Sequence, residues 1–277
     1  MSQCCPVVLL TAAQILLTSP MPAVRPLSLC TRLGTLLLFA VACQQRPGAQ
    51  TPTTSNDARA RQLAADSVLH NDWANMTRYR AANAQLPVPA PTDQRVVFMG
   101  NSITEGWVQH WPVLFAGKPY VGRGIGGQTT PQMLVRFHAD VVALQPAVVV
   151  ILAGTNDIAG NTGPATNEMI QQNLQAMTEI AQANGIRVVL SSILPVFDYP
   201  WRPGLQPAAR IVAINAWLKA YAARVGATYL DYHTAMADER QGLRANLGGD
   251  GVHPNEAGYR IMAALVEPAI AAALRTR

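Results

Sequence analysis

Five short apolar runs, each followed by small or polar residues, constrain the fold of this chain more than any other feature. The runs are mostly continuous in valine, isoleucine and leucine, without regular polar alternation. This pattern is typical of strands that are buried on both faces of a parallel sheet. We therefore predict five strands, at residues 95–100, 119–122, 146–154, 186–194 and 227–232.

Segments with helical periodicity separate these runs, near 130–144, 165–184 and 208–225, and a last helix is expected after Pro254. Alternating strands and helices predict one open α/β domain, spanning 57–277, with helices on both faces of the sheet.

The first part of this domain, from Asp57 to Asn83, also has helical spacing. Its apolar residues Leu63, Val68, Trp73 and Met76 recur roughly once per turn. We expect this segment to form a helix that covers one face of the sheet.

Unusual residues follow the predicted strands at the end where open α/β sheets bind ligands. Ser102 comes just after the first strand, Gly127 after the second and Asn156 after the third. The stretch "GDGVHPNEAGY", residues 249–259, precedes the last helix. We therefore expect the functional site to lie where these four segments meet.

Together these segments supply what an activated serine requires: a base, a group that orients the base, and donors for the developing oxyanion. Ser102 at a helix start keeps a free backbone N–H, Gly127 can offer a second N–H and Asn156 a side-chain amide. His253 is the candidate base and Asp250 its candidate partner. We predict a Ser102, His253 and Asp250 triad, with Ser102, Gly127 and Asn156 forming the oxyanion hole.

The order of these residues resembles the SGNH, or GDSL-type, hydrolases, a family of serine esterases and lipases. The blocks that name the family fall on Ser102, Gly127, Asn156 and His253, and Asp250 of "DGVH" matches the usual Asp-x-x-His.

This resemblance covers about Arg95 to Tyr259 and implies a three-layer, flavodoxin-like fold with about five parallel strands. It also implies a serine-dependent ester hydrolase with no metal and no organic cofactor. Asn101 stands where the first block of the family usually has aspartate. That departure concerns the loop beside the nucleophile rather than the triad.

Two alternative sites fit the sequence less well. Gly122, Gly124 and Gly127 have the dinucleotide-binding spacing, but the strand before them is very short and no acidic residue follows about 20 positions later. An ordinary α/β-hydrolase needs Gly-x-Ser-x-Gly, and Ser102 has no glycine two positions after it.

Aromatic residues lie near the predicted mouth of the site in sequence terms. Trp107, Tyr199 and Trp201 are candidates for substrate binding, although packing beneath the loops is the alternative for each. Asp157 is expected to stabilise the loop around Asn156.

Cysteine usage excludes several chemistries. All four cysteines lie within the first 43 residues, so the domain has no thiol for disulfides, zinc or nucleophilic catalysis. Asp231 and His233 are two positions apart at a strand end, but no third ligand is evident. We predict no metal site.

The segment from Met21 to Cys43 has basic, then apolar, then small residues, which is the order of a secretory signal. It resembles a bacterial lipoprotein signal, in which the cysteine after "AVA" is lipidated. An ordinary cleaved signal and an uncleaved anchor are the alternatives. We expect a targeting segment at 1–42 with its start at Met21, a lipid anchor on Cys43, and a flexible tether at 43–56, rich in Pro, Gln and Thr.

The formal net charge is +5, and no lysine- or arginine-rich block supports a nucleic-acid partner.

The expected protein is exported and anchored in the cell envelope, at the outer membrane or in the periplasm, or is otherwise secreted. Its expected substrate is a small acyl ester, chiefly acetyl, on a carbohydrate or glycan. An envelope O-acyltransferase and a non-catalytic glycan-binding lipoprotein are the alternatives, and the complete set of triad residues speaks against the second. The sequence gives no clear signal for an oligomeric state.

Overall fold

The computed structural model describes residues 55–90 and 92–275, and the predicted targeting segment, Cys43 and most of the tether lie outside them. Its five strands are parallel and form a single sheet. They are β1 Val96–Gly100, β2 Tyr120–Gly124, β3 Val148–Leu152, β4 Arg187–Ser191 and β5 Thr228–Leu230. The five predicted strands are therefore confirmed, with shifted or shortened ends.

The spatial order of the strands is β2-β1-β3-β4-β5. This is the flavodoxin-like order, in which the chain reverses its direction of travel across the sheet between β1 and β3. Val96 of β1 pairs with Tyr120 of β2 on one side and with Val148 of β3 on the other. A crevice is expected beyond the carboxyl ends of β1 and β3, where Ser102 and Asn156 follow.

Ten α-helices are found among the described residues, and two short 3₁₀ turns lie at Val108–His110 and Val142–Leu144. The helices are α1 Ser55–Asn71, α2 Arg80–Gln85, α3 Ser102–Trp107, α4 Trp111–Leu114, α5 Thr130–Asp140, α6 Thr155–Ile158, α7 Asn167–Ala183, α8 Ala208–Val225, α9 Tyr232–Met236 and α10 Glu256–Arg275.

The sheet lies between two layers of helices, because side chains of each strand alternate between its faces. Val97 and Met99 of β1 pack in one cluster with residues of α5, α7 and α8. Val96 and Phe98 pack in the other cluster with residues of α3, α9 and α10. Burial of each such side chain stabilises the fold by about 1.5–3 kcal/mol. The predicted three-layer α/β architecture is confirmed.

The last helix, α10, is the one described helix that is long and apolar enough to cross a membrane on length and composition. Its Met262, Val266 and Ile270 are buried in the core cluster on one face of the sheet. The apolar character of α10 is therefore accounted for by core packing.

The prediction of a continuous helix from Asp57 to Asn83 that covers the sheet is wrong. Helix α1 ends at Asn71, and its Leu63 side chain is exposed. The Asp72 carboxylate then accepts hydrogen bonds from the backbone N–H groups of Met76 and Thr77, which closes a turn. An aspartate that competes for backbone donors in this way favours a turn over a continued helix.

Candidate active site

Ser102 is the first residue of α3 and follows β1 after a single linking residue. The helix must approach the strand closely here, because a Cβ on Gly100 would lie 2.0 Å from the Thr104 hydroxyl oxygen. Only glycine fits at position 100 without a shift. The turn brings the Ser102 hydroxyl to 2.8 Å from Nε2 of His253.

His253 lies in the turn before α10, and Asp250 folds back onto it. Asp250 Oδ2 lies 2.6 Å from His253 Nδ1, while Oδ1 accepts the backbone N–H groups of Val252 and His253. Burial raises the pKa of the Asp250 carboxyl, but these hydrogen bonds outweigh burial and hold the pKa below its ordinary value. The side chains of His253 and Asp250 are 38% and 42% exposed, so the site is open to solvent.

The three candidate oxyanion donors lie on the segments that follow β1, β2 and β3. The backbone N–H of Ser102 belongs to the first turn of α3, where N–H groups have no hydrogen-bond partner within the helix. Gly127 has φ +75°, a conformation that other residues rarely adopt. Asn156, in α6 after β3, is buried, and its Nδ2 donates to the Gln128 carbonyl at 2.9 Å. This bond ties Asn156 to the loop that carries Gly127.

Two residues that sequence reasoning missed hold the Gly126–Gly127 loop. The Glu105 carboxylate accepts the Gly126 N–H at 2.8 Å, and Asn161 Nδ2 donates to the Gly127 carbonyl at 3.1 Å. Glu105 lies three residues after Ser102, so it faces the nucleophile side of α3. The spacing between Ser102 and Glu105 could have indicated the role of Glu105, whereas nothing in the local sequence indicates the role of Asn161.

Residues 98–261, more than half of the chain, match the family model of the GDSL-like Lipase/Acylhydrolase family. The chain belongs to this family. The predicted resemblance is confirmed, and the class of enzyme is carboxylic ester hydrolase.

Three relatives illustrate the relationship. A GDSL-like lipase from Bacteroides thetaiotaomicron is 45% identical, with a TM-score of 0.71, over 73% of this chain and 100% of that chain. Esterase TesA from Pseudomonas aeruginosa is 29% identical over 188 residues, or 65% of this chain and 83% of that protein. An acetylxylan esterase from Xylanibacter ruminicola is 26% identical over 221 residues, or 66% of this chain. The chain matches only 45% of the length of that acetylxylan esterase.

Asn101 replaces the aspartate that is usual in the GDSL-type motif, and the structure places it as the cap of α3. Its Oδ1 accepts the backbone N–H of Ile103 at 3.1 Å. Asparagine and aspartate are comparably good caps because either side-chain oxygen can accept this bond. The local hydrogen bond at the helix start is therefore present with asparagine.

Asp157 fixes the neighbouring loop, as predicted. Its carboxylate accepts hydrogen bonds from the backbone N–H and the hydroxyl of Thr130, the first residue of α5. Burial is the largest influence and raises the pKa of Asp157 to about 6, although the bonds from Thr130 act in the opposite direction. The loop after β3 is thus tied to the loop after β2.

Two of the three aromatic predictions are wrong. The Trp107 side chain is 1% exposed and packs edge-on against Phe98, with ring centroids 5.6 Å apart. Tyr199 is 0% exposed, and its hydroxyl bonds to Thr155. Both belong to the packing of the domain, because the backbone turns their side chains inward.

Trp201, in contrast, is 43% exposed and lies beside the site. Its ring centroid is 6.3 Å from that of His253, and its Nε1 donates to Asn161 Oδ1 at 3.3 Å. The indole therefore forms a wall next to the catalytic histidine candidate.

The Asp231 carboxylate is engaged at the start of α9. Asp231 caps α9, because its carboxylate accepts the backbone N–H and the hydroxyl of Thr234. Among the described residues, no group of three His, Cys, Asp or Glu side chains is placed to hold a metal ion.

Proposed function

We propose that this chain is a serine esterase that removes small acyl groups, chiefly acetyl, from carbohydrate or glycan esters. The observation that carries the proposal is the connected set of hydrogen bonds from the Ser102 hydroxyl to His253 and on to Asp250. A nucleophile with a base in contact and a third group orienting that base is the arrangement that acyl transfer requires.

In the proposed reaction, His253 Nε2 takes the proton of Ser102 as the hydroxyl oxygen attacks the ester carbonyl. The carbonyl oxygen becomes an oxyanion, which receives hydrogen bonds from Ser102 N–H, Gly127 N–H and the Asn156 amide. His253 then protonates the departing alcohol, leaving an acyl group on Ser102. His253 then takes a proton from a water molecule as the water oxygen attacks this acyl group, and it returns that proton to the Ser102 oxygen as the acid leaves. Asp250 stays ionised throughout and stabilises the imidazolium.

The proposed substrate rests on three observations. His253 and Asp250 are exposed, so a bulky alcohol group can approach the triad from solvent. The exposed Trp201 offers an aromatic face beside His253, and aromatic faces commonly pack against sugar rings. The acetylxylan esterase relative by its name acts on an acetylated glycan, although the match covers less than half of it. A small acyl group on a sugar fits all three.

The test is hydrolysis of p-nitrophenyl acetate, butyrate and octanoate, together with acetate release from an acetylated xylan. We expect rates that fall with acyl chain length, measurable acetate release, and loss of both activities in Ser102→Ala. Rates that rise toward octanoate would contradict a preference for small acyl groups. An active Ser102→Ala enzyme would contradict the serine mechanism.

We also propose that the protein is exported and held in the cell envelope by a lipid on Cys43. The order of residues from Met21 to Cys43 supports this proposal. The test is partitioning of the expressed protein between membrane and soluble fractions. Cys43→Ala is expected to move the protein out of the membrane fraction, and unchanged partitioning would contradict a lipid anchor at this residue.

A further inference from the structure

A cavity lies between the loop after α6 and the segment that leads into α8. Its volume is about 320 Å³, and its wall includes backbone of Gly160 and Gly163 and the side chains of Arg202 and Arg210. Two guanidinium groups at one cavity make an environment that favours an anion.

Nearby acids offset part of the charge of Arg210, which acts to lower the pKa of Asp157 and of Glu168. Within the described part of the chain, no carboxylate oxygen lies within 4 Å of a nitrogen of Arg202 or Arg210. Arg210 donates to the Asn167 side chain and to the Ala165 carbonyl. Arg202 is exposed and makes one long hydrogen bond, of 3.4 Å, to the Gly160 carbonyl. Of the two arginines, Arg202 therefore has more side-chain N–H groups available to donate hydrogen bonds to a ligand.

One acidic residue also lines the cavity, but its oxygens are already engaged. Both carboxylate oxygens of Asp157 accept hydrogen bonds from Thr130. Asp157 therefore does not occupy the donors of Arg202.

Two chain neighbours of cavity residues contact residues of the candidate active site. Trp201, next to Arg202 in the chain, lies beside His253 and bonds to Asn161. The side chain of Asn161, which follows Gly160 in the chain, donates a hydrogen bond to the carbonyl of Gly127 in the Gly126–Gly127 loop. A glycan that rests on Trp201 with its ester at Ser102 can therefore extend a substituent toward Arg202.

We propose that this cavity is a subsite for an anionic substituent on the alcohol part of the substrate, with Arg202 as its principal ligand. This inference rests on the proposed esterase function and narrows the substrate to acidic glycans that carry small acyl esters. The planar guanidinium matches a carboxylate through two parallel hydrogen bonds, which makes a uronic acid the preferred group. A sulfate ester offers the same acceptor chemistry.

The test compares two acetylated oligosaccharides that differ in one group. One carries a uronic acid, and the other is the same compound with that carboxyl reduced to the alcohol. We expect the wild-type protein to have a kcat/KM for acetate release about tenfold higher on the acidic compound, the size of one charge-assisted hydrogen bond. Added salt is expected to reduce the preference. A third, sulfated compound distinguishes carboxylate from sulfate recognition.

Arg202→Gln is expected to bring the ratio of the two kcat/KM values close to one, mainly through KM on the acidic compound. Arg202→Lys keeps the charge without the planar fork, so an intermediate ratio is expected. Arg224→Gln, at the far end of α8, is the matched control and should keep the wild-type ratio.

Failure of this proposal differs from failure of the proposed function. Equal rates on the acidic and reduced compounds with the wild-type protein, or an unchanged preference in Arg202→Gln, would overturn the subsite. Hydrolysis of p-nitrophenyl acetate, which has no anionic group, reports on the triad in the same preparations. Absence of p-nitrophenyl acetate hydrolysis in the wild-type protein would instead overturn the esterase proposal.

Discussion

The Glu105 carboxylate accepts a hydrogen bond from the Gly126 backbone N–H at 2.8 Å. Arg78 pairs with the other oxygen of Glu105 at 3.1 Å. The next N–H along the loop, that of Gly127, has no hydrogen-bond acceptor in the described part of the chain. Glu105 therefore holds the loop that contains the candidate oxyanion donor, and we expect it to position that donor.

Replacing Glu105 tests this role. Glu105→Ala is expected to lower kcat for p-nitrophenyl acetate about tenfold with little change in KM, because the loop is freed and a donor needed only in the transition state is misplaced. Glu105→Gln keeps an oxygen that can accept the Gly126 N–H and should retain most activity. Steady-state kinetics checks both variants, and equal kcat values for Glu105→Ala and Glu105→Gln would contradict the positioning role.

The backbone conformation of Gly127 gives a second prediction. At φ +75°, alanine is strained by about 1–2 kcal/mol, although its Cβ would have room, with Asn161 Nδ2 as nearest atom at 3.9 Å. Gly127→Ala is expected to lose both stability and activity. Gly117→Ala, at φ +73° with open space around it and near the start of β2, should lose stability alone. Urea unfolding and esterase assays separate the two effects, and full activity in Gly127→Ala would contradict its assignment.

Asn156 is expected to donate to the oxyanion through its buried amide. Asn156→Ala should lower kcat by about 10²–10³, the usual cost of one oxyanion donor. Asn184→Ala, at the exposed end of α7, removes a comparable side-chain hydrogen bond away from the site and should keep full activity. Full turnover in Asn156→Ala would rule out the proposed role of its amide.

Asp157 gives a prediction for stability against pH. Its pKa in the folded protein is about 6, above the ordinary 3.8, so the folded state binds a proton more readily than the unfolded state. Its contribution to stability is therefore full below about pH 4 and is lost as pH rises through 6. The loss amounts to about 2–3 kcal/mol.

Comparing unfolding by urea in wild type and Asp157→Asn isolates this contribution, because other groups titrate alike in both. The free energy of unfolding of wild type, relative to the variant, should fall between pH 4 and pH 7. A constant difference, or a rise with pH, would show that Asp157 does not titrate in this way.

The fold and the proximity of Ser102 and Asn156 were predictable from the apolar runs. Apolar runs fix the parallel strands, and a parallel sheet brings the residues after each strand to the same edge. Ser102 and Asn156 follow neighbouring strands, β1 and β3, so their proximity follows from the strand order. The contact of Ser102 with His253, which lies 151 positions later, needed the motif as well as the pattern.

The errors have equally specific causes. Trp107 is close to Ser102 in sequence, but α3 turns its side chain into the core, which sequence proximity alone does not reveal. The apolar residues keep helical spacing as far as residue 76, so this spacing does not predict that Asp72 closes a turn and ends the helix. Asn161 bonds to Gly127 across 34 positions, so its role depends on loop geometry that no local pattern encodes.

The proposed esterase function depends most on Ser102 being the nucleophile that His253 activates. Its most direct test is covalent labelling with a fluorophosphonate, followed by peptide mass spectrometry to locate the modified residue. We predict one label on Ser102 in the wild-type protein, a rate of labelling reduced by orders of magnitude in His253→Ala, and no label in Ser102→Ala. A label on another residue, or labelling of Ser102 at the same rate in His253→Ala, would contradict the activation of Ser102 by His253.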